Sequence, residues 1–166
     1  MLLPRSLFLL PAAVADGAFQ EGWELNAIGT IGSRRSIELA GGLTLELLPR
    51  REQEDYAALL GEHDVGLALM YTPHPSLVPI EMASAGMLTV TNSFENKTPE
   101  ALSAISSNLI PAAPSVERIA DALCAATDGA GDAERRARGS DVRWSRDWDE
   151  SFPDELVDRV TALLGA

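Results

Sequence analysis

Cysteine, histidine and aromatic residues are scarce in this chain, and each shortage narrows the field. A single cysteine, Cys124, excludes an internal disulfide. Its neighbours Ile119, Ala120 and Leu123 share one helical face, which marks a small buried filler rather than a nucleophile. The two histidines, His63 and His74, stand apart from each other, and the acids are dispersed, so no metal or other cofactor is expected. Aromatics make up 5% of the residues against abundant Ala, Leu and Val, a balance that suits α/β layers better than an all-β sandwich. Lys and Arg number 13 against 25 Asp and Glu, for a net charge of -12. That deficit argues against a nucleic-acid binder, which needs a basic surplus to neutralise phosphates. It leaves room for a phosphate-bearing small ligand, since a few local donors outweigh a distant negative field.

Long apolar runs are also lacking. Nothing approaches the roughly 20 residues of a membrane span. The stretch Leu7 to Val14, followed by Ala15 and Asp16, imitates a signal-peptidase site. Pro4 interrupts it and Arg5 is its one positive charge, so a soluble cytoplasmic protein is expected. Glycine-rich phosphate loops of the two common patterns are absent, and no Ser-His-Asp arrangement can be argued.

What is present is alternation. Strand-like runs occur at Trp23 to Ile28, Leu43 to Leu48, Val65 to Met70, Leu88 to Thr91 and Asn108 to Ala112. Val65 to Met70 is almost continuously apolar, as in a parallel strand covered on both faces. Helical spacing begins near Arg51 and ends at Gly61, and Ser115 caps a helix carrying Val116, Ile119, Ala120 and Leu123 on one face. The pattern predicts one domain over residues 1–166: an open, mostly parallel Rossmann-like sheet with helices on both faces. Its tail, about 133–166, reads as helical, with Trp144, Trp148 and the stripe Leu156, Val157, Val160, Leu163 and Leu164 packing on the body. Docking on a partner domain is the other reading. Ser151 is the expected cap of the last helix, with Pro153 in its first turn.

In open parallel sheets, ligands bind beyond the carboxyl ends of the strands. Beyond Met70 the chain reads Tyr71-Thr72-Pro73-His74-Pro75-Ser76, then a helix with Ser76 as cap, Pro79 in its first turn and Gly86 at its end. The free amides of Leu77 and Val78 and the helix dipole make an anion site. Glu81, one turn in, suits a sugar diol. Taken alone, His74 reads as a structural loop hydrogen-bonder. Glu81 alone reads as a solvated carboxylate, and the strand-loop-helix setting reverses that ordering. The pairs Arg34-Arg35 and Arg50-Arg51 are either surface charges or phosphate ligands. Asn92, Asn96 and Lys97, after a strand end, are either turn residues or crevice lining.

The stretch "LMYTPHPSLVPIEMASAG", with "LVPIEMASAGMLTVTN" overlapping it and "TNSFENKT" beyond, resembles the donor-binding motif of retaining GT-B glycosyltransferases of family 4, and within them the bacterial rhamnosyltransferases of surface polysaccharide synthesis. The resemblance implies the donor-binding, C-terminal half of a two-domain hexosyltransferase. Glu81 would hold the ribose hydroxyls, and Ser76, Leu77 and Val78 would face the diphosphate or sugar. Gly29 and Thr30, with Ile31 and Gly32, would form a loop facing the donor, and Leu48-Pro49-Arg50 would flank the base. The family's first acid falls at Pro73, with His74 beside it as a sugar contact. No residue is assigned a catalytic role.

The resemblance further implies a dTDP-, UDP- or GDP-linked sugar, a glycan acceptor held by an N-terminal domain, and no transfer by this chain alone. Such domains open with a strand before the first helix. This chain begins near that helix, so the opening strand is expected to be missing, leaving a sheet edge through which a homodimer would form. Two competing readings remain. A flavodoxin-like or receiver-like binding module would need a Ser/Thr-rich phosphate loop or clustered aspartates. A sugar-nucleotide epimerase of similar fold would carry a different set of acids and histidines.

Overall fold

In the computed structural model, residues 10–19, 22–30, 35–39, 42–145 and 147–165 are described. Six strands form two three-stranded sheets. In the first, β1 (Leu25–Thr30) runs parallel to β3 (Thr44–Pro49), and β2 (Ser36–Glu38) pairs antiparallel on the other side of β3. In the second, β4 (Val65–Ala68), β5 (Leu88–Asn92) and β6 (Leu109–Ala112) are all parallel, with β5 in the middle. The architecture is α/β and Rossmann-like, as the alternation predicts. The single continuous sheet is replaced by two, because β1 and β4 pair with each other nowhere among the described residues. The three-residue β2 was not anticipated. It is too short to show a period, and it is held by Leu39 N–H donating to Leu43 O (2.8 Å) and Leu47 N–H to Arg35 O (2.7 Å).

The helices are α1 (Gln53–Gly61), α2 (Leu77–Ser84), α3 (Pro99–Ile105), α4 (Val116–Gly129), α5 (Ala133–Gly139), α6 (Trp148–Ser151) and α7 (Asp154–Leu164), preceded by a helical segment at 10–15. Their starts follow local chemistry. Ser115 Oγ accepts from Arg118 N–H at 3.3 Å, and Thr98 Oγ1 from Ala101 N–H at 3.2 Å ahead of Pro99 in the first turn. Asp132 Oδ1 likewise accepts from Arg135 N–H at 2.9 Å. Gly86, at φ 89°, turns the chain out of α2 in a conformation most residues avoid.

All five residues of β5 are buried, as expected of a central parallel strand. On one face Leu88 and Val90 meet Ile119, Ala120, Leu123 and Ala126 of α4 together with Leu10 and Ala13 of the helical segment. A smaller cluster gathers Ala83, Leu102 and Leu109. Burial of each large apolar side chain here contributes on the order of 1.5–3 kcal/mol. Gly66 in β4 lets α2 lie close, since a Cβ there would stand 2.8 Å from Met82 Sδ.

The tail departs from expectation. Every described residue of α7 is exposed, Leu163 by 86% and Leu164 by 77%, so its apolar stripe is not buried against the body. Trp148 stacks on Phe152 within the tail, ring centroids 5.5 Å apart, instead of entering the core. Ser151 does not cap α7 either. Its hydroxyl donates to Asp147 O, and Pro153 takes the cap position. The amphipathic pattern specified the helix but not a surface to receive it.

Candidate functional site

The loop between β4 and α2 is built on a clamp. Asn92, at the end of β5, takes the N–H of Met70 on its Oδ1 (2.8 Å) and donates through Nδ2 to Met70 O (3.1 Å). Lys97 Nζ donates to the same carbonyl at 2.8 Å. The lysine is 3% exposed, and burial pulls its pKa below the ordinary 10.5. Asn92 and Lys97 thus pin the exit of β4 and lie outside the cleft lining, which decides between the two readings of these residues. Asn96 is exposed.

Beyond the clamp, Thr72 Oγ1 donates to His74 O (3.1 Å), and Ser76 N–H donates to His74 Nδ1 (2.9 Å). An Nδ1 that accepts carries no proton, so the ring presents Nε2–H as a donor. Ser76 itself sits at φ 70°, ψ 149°, a region kept almost entirely for glycine and costing about 1–3 kcal/mol. Its hydroxyl makes no capping bond, contrary to the expected role; the turn that faces the loop toward the cleft takes the backbone out of capping geometry. α2 then begins at Leu77. Among the described residues no contact engages the amides of Leu77 or Val78, and both side chains are exposed, by 54% and 40%.

One cavity of about 1850 Å³ gathers half of the expected residues. Ser76, Val78 and Glu81 of the α2 entry line it with Arg50 from the loop after β3. Arg51, Tyr56 and Arg136 line it as well and were not singled out from the sequence, beyond the Arg50-Arg51 pair. Tyr56 stands near Glu81: burial chiefly, and then the Glu81 charge, raise the phenol's pKa. Arg136 is a brace. It donates through Nε to Gly86 O (2.8 Å) and through a terminal nitrogen to Ala130 O (3.0 Å), and it pairs with Asp64. Nothing in the sequence near Arg136 signals this long-range role.

His74 and Leu77 flank the cavity without lining it. Gly29 and Thr30 close β1, where Thr30 pairs with Pro49 just before Arg50; their side chains, and Ile31 and Gly32, lie outside the described residues. Cys124 donates weakly to Asp16 O at 3.6 Å, and burial first of all pushes its thiol pKa up, the reverse of what a nucleophile needs. The described residues hold no His, Cys, Asp and Glu group arranged for a metal, and no helix is long and apolar enough to cross a membrane.

The sequence model of the family described as "WsaF, C-terminal domain" matches residues 2–124. The O-antigen biosynthesis protein RfbC of Myxococcus xanthus is 51% identical over 39 residues, 24% of this chain and 3% of that protein. The match thus spans a small fraction of a much longer relative. A family match over most of the chain, on an α/β frame that sets the α2 entry beside a large cleft, carries one assignment: the chain belongs to the WsaF C-terminal domain family and is a C-terminal glycosyltransferase domain.

Proposed function

We propose that this domain binds the nucleotide-sugar donor of a glycosyltransferase that builds bacterial surface polysaccharide, with a hexose such as rhamnose as the transferred sugar. One observation carries the reading: the entry of α2, with open amides at Leu77 and Val78 and Glu81 one turn behind, borders the same cleft as Arg50 and Arg51. Helix amides and arginines suit a diphosphate, and a carboxylate suits ribose hydroxyls. The name of the Myxococcus relative, an O-antigen biosynthesis protein, agrees with a polysaccharide product.

In the proposed mechanism the chain's own groups stabilise the leaving diphosphate. As the bond from the sugar to the diphosphate breaks, negative charge grows on the phosphate oxygens. The α2 amides, the helix dipole and the Arg50 guanidinium stand ready for it without reorganising. The uncapped Ser76 hydroxyl and His74 Nε2–H are spare donors at the sugar end. The acceptor is held by a separate N-terminal domain, and the 166-residue chain alone transfers nothing. A thermal-shift panel of dTDP, UDP, GDP and their sugars tests the reading, because a ligand bound only by the folded state raises its melting point. A shift with at least one nucleotide supports it, and a flat panel overturns it.

A further inference from the structure

Ser76 differs in one angle from Thr98 and Ser115, the caps of α3 and α4. Those two stand at φ -80° and -121° with ψ 162° and 158°, and each accepts the amide of the third residue of its helix. Ser76 has nearly the same ψ, 149°, but a φ of 70°. A flip of the Pro75–Ser76 peptide plane changes that φ and little else, because ψ of Pro75 turns with it. The flip would return Ser76 to capping geometry.

A capping Ser76 would close the site. The third residue of α2 is Pro79, which has no N–H to give. The hydroxyl could then take only the amide of Val78, the other position that a cap serves. That amide is one of the two assigned to the diphosphate, so the φ of 70° keeps the helix entry open. Something must hold a serine there, since the strain is of the order of a hydrogen bond. The holding contact is Ser76 N–H donating to His74 Nδ1 at 2.9 Å, a bond that the flip would break. His74 is fixed in turn: its carbonyl accepts from Thr72 Oγ1 at 3.1 Å, and Pro73 and Pro75 stiffen the chain on either side. Ser76 lines the cavity, whereas His74 flanks it.

We infer, on the strength of the donor-site reading, that His74 is a positioning residue: its unprotonated Nδ1 holds Ser76 in the left-handed conformation and so keeps the Val78 amide free for a ligand phosphate. The loop then has two states. In one, Ser76 N–H is bonded to His74, the serine is strained, and Leu77 and Val78 present both amides. In the other, the Pro75–Ser76 plane is flipped, the serine is relaxed, and its hydroxyl caps Val78. A diphosphate binds only the first, so loss of the imidazole lowers apparent affinity by the fraction of the chain that caps itself. Glycine at position 76 takes φ 70° without strain and has no hydroxyl to cap with. It removes the need for His74.

Wild type, His74→Ala and the double variant His74→Ala/Ser76→Gly of the 166-residue chain test this. Water–amide exchange at Val78, read by NMR without ligand, should be fast in wild type, slower by about tenfold or more in His74→Ala, and fast again in the double variant. UDP should bind His74→Ala about tenfold more weakly than wild type, and the double variant should recover most of that loss. Exchange at Val78 that is equal or faster in His74→Ala overturns the inference, because the serine then does not cap. So does a double variant that binds UDP no better than His74→Ala, because the imidazole then touches the ligand itself through Nε2–H. Absence of UDP binding by wild type, with the expected exchange pattern, contradicts the donor-site reading alone and supports the hold of His74 on Ser76.

Discussion

Lys97 donates through its Nζ to the backbone carbonyl of Met70 at 2.8 Å, from a position 3% exposed. Twenty-seven residues separate the two, and the bond fixes where β4 releases the loop that leads to Ser76 and Glu81. The site therefore rests on a buried ammonium whose charged form is disfavoured by its surroundings.

Lys97→Met keeps the aliphatic stem and removes the bond. Asn92 still donates to Met70 O, so the loss should be moderate, about 1–2 kcal/mol in urea unfolding near neutral pH. Because burial lowers the folded-state pKa, protonation favours the unfolded chain. The charge penalty is full below the folded pKa and fades as pH rises toward 10.5. Wild type should show this alkaline contribution to stability and Lys97→Met should lack it; identical pH profiles would contradict the assignment.

Gly139→Ala should be among the most damaging single-methyl changes in the chain. A Cβ there collides with the carboxamide of Asn108, which is fully buried and already donates to Ala83 O (3.2 Å) and Arg136 O (2.8 Å). Overpacking of this kind costs about 1–3 kcal/mol or more. Gly131→Ala, where a Cβ meets nothing within 4 Å, should stay within about 0.5 kcal/mol. Equal midpoints for the two variants in urea would show that the Asn108 packing does not matter.

Cys124 should resist alkylation. With its thiol pKa raised chiefly by burial, the reactive thiolate is scarcer than in a free cysteine. Iodoacetamide should label it more slowly than a model thiol at neutral pH and faster after urea is added. Rapid labelling of the folded chain would place the thiol in open, electropositive surroundings.

Much of this was legible in the sequence because local chemistry decided it. Continuous apolar runs announced β4 and β5, Ser115 announced α4, and the loop of Pro73, His74 and Pro75 announced a rigid lead into α2. What escaped was set by distant partners. Arg136 braces Gly86 across 50 residues, and no local pattern marks it. Ser76 looked like a cap, but its backbone at φ 70° removes the hydroxyl from that duty. The stripe on α7 was read correctly as helical, whereas what it packs against is a matter of tertiary partners that spacing does not encode. The division of the strands into two sheets likewise follows from long-range pairing that no single strand's pattern encodes.

The most direct test of the account separates the two halves of the ligand. The α2 amides and Arg50 are assigned to the phosphates, and Glu81 to the ribose. Titration of wild type and Glu81→Ala with UDP and with inorganic pyrophosphate should therefore diverge. UDP should bind the variant about tenfold more weakly, a loss of about 1.4 kcal/mol, while pyrophosphate binds it at least as well as wild type. Equal UDP affinity in the two proteins, or no binding of either ligand by wild type, would contradict the donor-site assignment.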